Sequence, residues 1–127
     1  GLLEHVKVVG DHFEKRLKEL EDLRIVGNVR GKRLMMCVEY VADKATKAHL
    51  PDDINISKRI SNLCEQRGLL VRPIGHLDVM SPPLTLSIGE ADFLVDTLHA
   101  AIEEATHDLV KEGMLPPLPR PLQHGGN

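Results

Sequence analysis

The sequence predicts an α+β domain: a small, mainly antiparallel sheet with helices packed on one face, in the order α-β-β-α-β-β-α. Three observations carry this expectation. Apolar residues recur at helical spacing near both ends, over Leu2–Leu20 and Ile88–Leu109. Short runs rich in branched and long apolar side chains lie between them and read as strands. Tight Gly-containing turns join those runs, which points to antiparallel pairs covered by helices on one side.

Composition bounds the answer. At 127 residues the chain is one domain by size, long enough to bury about two thirds of its unfolded surface. An apolar content of 42% excludes a disordered chain. With two Phe, one Tyr and no Trp, the core must be aliphatic, with Met filling gaps. A net charge of −3 gives no basic field for nucleic acid, and so few aromatics argue against base stacking. No apolar run approaches the roughly 20 residues of a membrane span, and the first residues alternate apolar and charged, unlike a signal peptide. Cys37 and Cys64 are not in a Cys-x-x-Cys arrangement and read as buried free thiols of a cytoplasmic protein.

Leu2, Val6, Val9, Phe13, Leu17 and Leu20 form the apolar stripe of the first helix, with Glu4, Lys7, Asp11, Lys15, Lys18 and Glu21 on its solvated face. No Ser, Thr, Asp or Asn precedes the stripe, so the chain reads as opening inside or just before an element. Leu23–Arg30 is a short strand interrupted by Gly27-Asn28, and Gly31-Lys32 bends the chain. Leu34–Val41 is the longest strand. Both of its faces are mostly apolar, which predicts burial on both sides except around Glu39. Arg30, Lys32 and Arg33 cluster at the bend, as a solvated turn or an anion site.

A polar loop over 43–51 follows. Asp52 and Asp53 are candidate caps for a helix whose apolar face is Ile56, Ile60 and Leu63 and whose left-handed end is Gly68. Leu69–Val71 and Val79–Met80 read as the second strand pair around Gly75-His76, closed by Ser81-Pro82-Pro83. Ser87-Ile88-Gly89-Glu90 is a capping box for the last helix. Ile88, Ala91, Leu94, Leu98, Ala101, Ala105 and Leu109 line its buried face, and Gly113 ends it. The domain thus occupies 1–113. Residues 114–127, rich in Pro and Gly, are expected to be a disordered tail, in which Pro116-Pro117-Leu118-Pro119 has the form of a polyproline ligand.

Arg72 is the candidate binding residue. A guanidinium at the end of an apolar strand is costly unless an anion meets it, and Pro73 holds it in extended backbone. Its planar fork suits a carboxylate, which Lys cannot match. The bland alternative is an internal ion pair with Glu39 or Asp78. His76 and Asp78 flank the turn and could form an acid–base pair. The seven histidines make no His-x-x-x-His pair with a carboxylate, so a metal site is not expected. No nucleophile elbow, phosphate-binding loop or dinucleotide fingerprint is present.

The stretch Arg67-Gly68, Leu69-Leu70-Val71-Arg72, Gly75 and Ser81-Pro82-Pro83-Leu84 resembles the C-terminal domain of the class III pyridoxal-phosphate-dependent aminotransferases, the omega-amino-acid and amine–pyruvate branch in particular. Val29-Arg30-Gly31-Lys32-Arg33-Leu34-Met35 through Glu39 is similar to a second segment of that family, with Arg33 where the family usually has Gly. The resemblance spans roughly residues 1–112. It implies the C-terminal domain of a fold-type I aminotransferase, and it places the family's substrate-carboxylate arginine at Arg72. That Arg would grip the α-carboxylate of pyruvate or alanine, then swing aside for an amine or omega-amino acid.

The resemblance also implies pyridoxal 5'-phosphate in the full-length enzyme. None of this chain's lysines sits in a sequence like the family's cofactor lysine, so the chain alone is expected to bind no cofactor and to be inactive. A face made to pack on the rest of the enzyme would be exposed and favour a homo-oligomer. The alternative is a stand-alone amino- or keto-acid-binding or dimerisation module without catalysis.

Overall fold

The structure, a computed structural model, describes residues 1–32 and 34–117. Its elements are α1 (Leu2–Lys18), β1 (Val26–Lys32), β2 (Met35–Tyr40), α2 (Ile56–Gln66), β3 (Arg72–Ile74), β4 (Leu77–Met80) and α3 (Ile88–Lys111). Short 3-10 turns at Glu19–Asp22 and Asp52–Ile54 precede β1 and α2. The four strands form one antiparallel sheet in the order β1-β2-β4-β3.

Periodicity places the helices. Val9, Phe13 and Leu17 follow one another at four-residue spacing and are buried, and Leu20 continues the stripe into the 3-10 turn. The first turn of the stripe differs from expectation: Leu2 is 54% exposed, with none of the described residues covering it. Ser87 and Glu90 cap α3 reciprocally, Glu90 N–H to Ser87 Oγ at 3.0 Å and Ser87 N–H to Glu90 Oε1 at 2.9 Å. Ile88, expected on the buried face, lies in that first turn and is 39% exposed.

Gly68 ends α2 at φ +87°: its N–H donates to Glu65 O and that of Leu69 to Cys64 O, the paired bonds of a Schellman stop. Gly113 closes α3 the same way, through Val110 O and Leu109 O. The chain then runs on into the core, where Leu115 is buried against the end of α3. Leu118 and Pro119 of the polyproline-like stretch lie outside the described residues.

Three local expectations are corrected. The first strand begins at Val26 rather than Leu23 and continues through Gly31 to Lys32, with a register shift between Val26 and Asn28. Gly27 sits at that irregularity under Val41, whose Cγ1 would lie 2.5 Å from any added Cβ. Arg33, the departure from the family pattern, lies outside the described residues. Asp52 and Asp53 do not cap α2. They form the 3-10 turn, and Asn55 enters the helix from left-handed backbone (φ 53°) without a side-chain cap bond. The third strand is Arg72–Ile74, not Leu69–Val71. Proline is tolerated there because β3 is an edge strand whose outer side needs no N–H donor.

One sheet face carries Val29, Met36, Val38, Tyr40 and Met80 and forms a continuous core with the helices. His5 Nε2 meets Leu86 O at 2.8 Å, and Arg16 bonds Asp92 and Asp96 at 2.8 and 2.7 Å. Contacts advance together along both helices, so α1 and α3 run side by side in the same direction. Among the described residues, no helix covers the opposite face.

Candidate functional site

The uncovered face is where sequence expectation and structure part most clearly. Met36, Val38 and Tyr40 of β2 are buried. Met35 is 64% exposed, and Cys37 and Glu39 are half-buried. The apolar pattern on both faces of β2 therefore marks one face filled by helices and one left open.

Cross-strand register lays out the open face in rows, because residues directly opposite one another share a face. Arg72 stands opposite Val79, Val79 opposite Cys37, and Cys37 opposite Arg30. The next row is Ile74, Leu77, Glu39 and Asn28. Arg72 is thus a cation at the edge of a surface on which Val79, Cys37, Ile74 and Leu77 lie between polar residues.

Its strand is held from behind. Ser57 and Ser61 lie one turn apart on α2. The Ser57 hydroxyl donates to Gly75 O at 2.7 Å, and that of Ser61 to Val71 O at 3.3 Å. The two bonds clamp both flanks of β3. Sequence reasoning missed this role, although two serines at i and i+4 on an otherwise apolar helix face were the available signal. Gly75 makes the turn at φ +59°.

The carboxylates that could have neutralised Arg72 are engaged elsewhere. Glu39 Oε1 accepts from Arg30 Nη1 at 2.9 Å, and its Oε2 lies 3.0 Å from His49 Nε2. The His49 and Arg30 bonds hold the Glu39 carboxyl below its usual range. Asp78 points to the other side of the sheet, fully buried, where its Oδ2 accepts the Tyr40 hydroxyl at 2.7 Å. Among the described residues no carboxylate oxygen lies within 4.0 Å of the exposed Arg72 guanidinium. The internal ion pair is therefore not formed. Nor do His76 and Asp78 pair: His76 lies 3.2 Å from Asp52 and stacks on His49, ring centres 4.1 Å apart.

Other sequence candidates resolve into structural roles. His12 bonds Asp92, and His99 lies beside Glu103. Among the described residues no three metal-ligating side chains converge. Cys64 is buried and Cys37 half-buried, both free thiols. Among the described residues, too, no helix is long and apolar enough to cross a membrane. A groove of about 980 Å³ lies between the end of α3 and the segments around Arg24 and Lys44, and none of the open-face residues lines it.

A helix-backed sheet with Arg72 at the edge of its other face defines a small α+β domain. Comparison with known proteins specifies the class. No protein-family model matches the chain. It is 35% identical over 105 residues to the adenosylmethionine-8-amino-7-oxononanoate aminotransferase of Methanocaldococcus jannaschii, covering 83% of this chain and 23% of that protein. The omega-transferase of Vibrio fluvialis JS17 superposes with a TM-score of 0.84 at 33% identity, over 87% of this chain and 26% of its own. A PLP-bound aminotransferase mutant from Vibrio fluvialis superposes with a TM-score of 0.82 at 33% identity, over 85% and 24%.

The chain is a domain of the aminotransferase family. It spans about a quarter of the length of the relatives it matches.

Pyridoxal phosphate needs an amine for its aldehyde, an acid for its ring nitrogen and donors for its phosphate. The described amines do not supply the first. Lys18, Lys44 and Lys47 donate to the carbonyls of Val29, Glu21 and Gly27. Lys7, Lys15, Lys58 and Lys111 are exposed on helices. The described side chains do not by themselves fit the cofactor.

Proposed function

We propose that the chain is the C-terminal small domain of a class III, pyridoxal-phosphate-dependent aminotransferase of the omega-amino-acid/amine–pyruvate branch, in which Arg72 binds the α-carboxylate of pyruvate or alanine. The observation that carries this reading is the exposed Arg72, clamped at both flanks of its strand by α2 and lacking an ion-pair partner among the described residues. A guanidinium so placed offers two parallel N–H donors to an incoming carboxylate. The long Arg side chain leaves the face free when the second substrate, an amine or omega-amino acid without a carboxylate at that position, takes its turn. The open apolar rows beside it suit packing against the remainder of the enzyme, which supplies the cofactor site. On this reading the isolated chain is inactive. The assembled enzyme is a cytoplasmic homo-oligomer, in keeping with the two free thiols.

The test is steady-state kinetics on the assembled enzyme carrying this segment. A charge-assisted bond is worth about 1.5–3 kcal/mol, so Arg72→Ala raises KM for pyruvate about 10- to 100-fold. Turnover with an aldehyde acceptor that lacks a carboxylate stays unchanged, and Arg72→Lys does not restore pyruvate binding. An unchanged pyruvate KM in Arg72→Ala overturns the assignment. Calorimetry on the 127-residue chain separates the stand-alone binding module: only that reading has it bind pyruvate or alanine by itself, with binding lost in Arg72→Ala.

A further inference from the structure

The sheet has two edges, and they are closed in different ways. β3 has three residues, one of them Pro73, which has no N–H to offer. β1 has seven residues and no proline, the form that most readily accepts another strand. Yet three of its backbone polar groups are occupied by side chains. The Val29 N–H donates to Glu21 Oε2 at 3.0 Å, and the Val29 carbonyl accepts from Lys18 Nζ at 2.6 Å. The Gly27 carbonyl accepts from Lys47 Nζ at 2.8 Å.

These side chains come from three separate segments: the last turn of α1, the 3-10 turn after it, and the 43–51 loop. Lys18 and Glu21 are also an ion pair at 3.8 Å, so each steadies the other over Val29. Lys47 reaches Gly27 from left-handed backbone at φ 61°, a conformation that a lysine rarely takes. Together the three occupy the N–H and C=O of Val29 and the C=O of Gly27, positions along β1 that an added strand would use.

We propose that Lys18, Glu21 and Lys47 form a clasp that keeps the β1 edge closed to β1 of a second copy of the chain. The second copy is the fitting occupant because two identical edges pair antiparallel about a two-fold axis, each offering the N–H and C=O of its own Val29. The clasp makes β1 conditional: it ends the sheet, but the hydrogen bonds of Val29 and the Gly27 carbonyl are already spent.

The experiment compares the 127-residue chain with its Lys18→Met/Glu21→Met double variant by sedimentation equilibrium and amide hydrogen exchange. The double variant is expected to self-associate at least about tenfold more tightly than the parent, about 1.4 kcal/mol. Protection at the Val29 amide should rise with protein concentration. Association through the open face leaves Val29 protection independent of concentration, which separates the two surfaces. Equal association of parent and variant, with Val29 protection flat across concentration, overturns the proposal. Should the double variant lose its circular dichroism, Lys18→Met alone decides: a smaller tightening supports the clasp, and none overturns it.

Discussion

Replacing Asp78 by Asn is expected to stabilise the fold at pH 8 and leave it little changed at pH 4. Asp78 is fully buried beneath the sheet, with the Tyr40 hydroxyl as its one partner and its Oδ1 unbonded. Loss of water around the charged form dominates, and the carboxyl is pushed up from 3.8 to about 7. At about 1.4 kcal/mol per pKa unit, that difference is on the order of 4 kcal/mol.

The sign follows from which state holds the proton. Between pH 3.8 and about 7 the folded chain keeps it and the unfolded chain has released it. The group's contribution is therefore fully present below 3.8 and is lost as pH rises through about 7. Glu39, Glu90, Asp92 and Glu112, all held below their ordinary values, act in the opposite direction at the acid end. The difference between variant and parent removes their contribution.

Asn keeps an acceptor for Tyr40 and cannot ionise. Urea unfolding of both proteins at several pH values from about 4 to 8.5 should give a variant-minus-parent stability that climbs across the window, by up to about 4 kcal/mol, and then levels. A constant difference at every pH would refute the reasoning, because Asp78 would then not be titrating in the fold.

The two thiols should differ in kind: burial pushes Cys64 up to about 12, so a thiol reagent at pH 8 modifies Cys37 alone until denaturant is added. Two equivalents reacting at one rate in the native chain would contradict this. Ser57→Ala removes the 2.7 Å bond to Gly75 O and should cost about 1–2 kcal/mol. Amide exchange should then speed up in β3 and β4 more than between β1 and β2. Leu115→Ala should cost about 2–4 kcal/mol by thermal unfolding, since Leu115 is 3% exposed; an unchanged Tm would mean that it does not pack.

Features whose cause is local were legible in the sequence. The capping box at Ser87 and Glu90, the glycine stops at 68 and 113 and the helical stripes need only a few neighbouring residues to be read. Features decided across strands were not. Met35, Cys37 and Glu39 alternate with Met36, Val38 and Tyr40 in a way that fits either one or two covering layers, and only the helix layer's position decides between them. The partner of Arg72 was a question of register. Glu39 and Asp78 were both plausible by spacing, but pairing placed one beside Arg30 and turned the other into the core. Asp52 and Asp53 resembled caps because an Asp before a helix usually is one; the intervening 3-10 turn displaced them.

The side-by-side packing of α1 and α3 also bears on how the chain acquires its fold. The bonds joining these helices link residues 76–81 positions apart. A contact of such long range forms late, after the intervening hairpins have drawn its two ends together. During synthesis the side of α1 that packs on α3 therefore stays uncovered until α3 emerges. That interval is when a chaperone would find the most to hold.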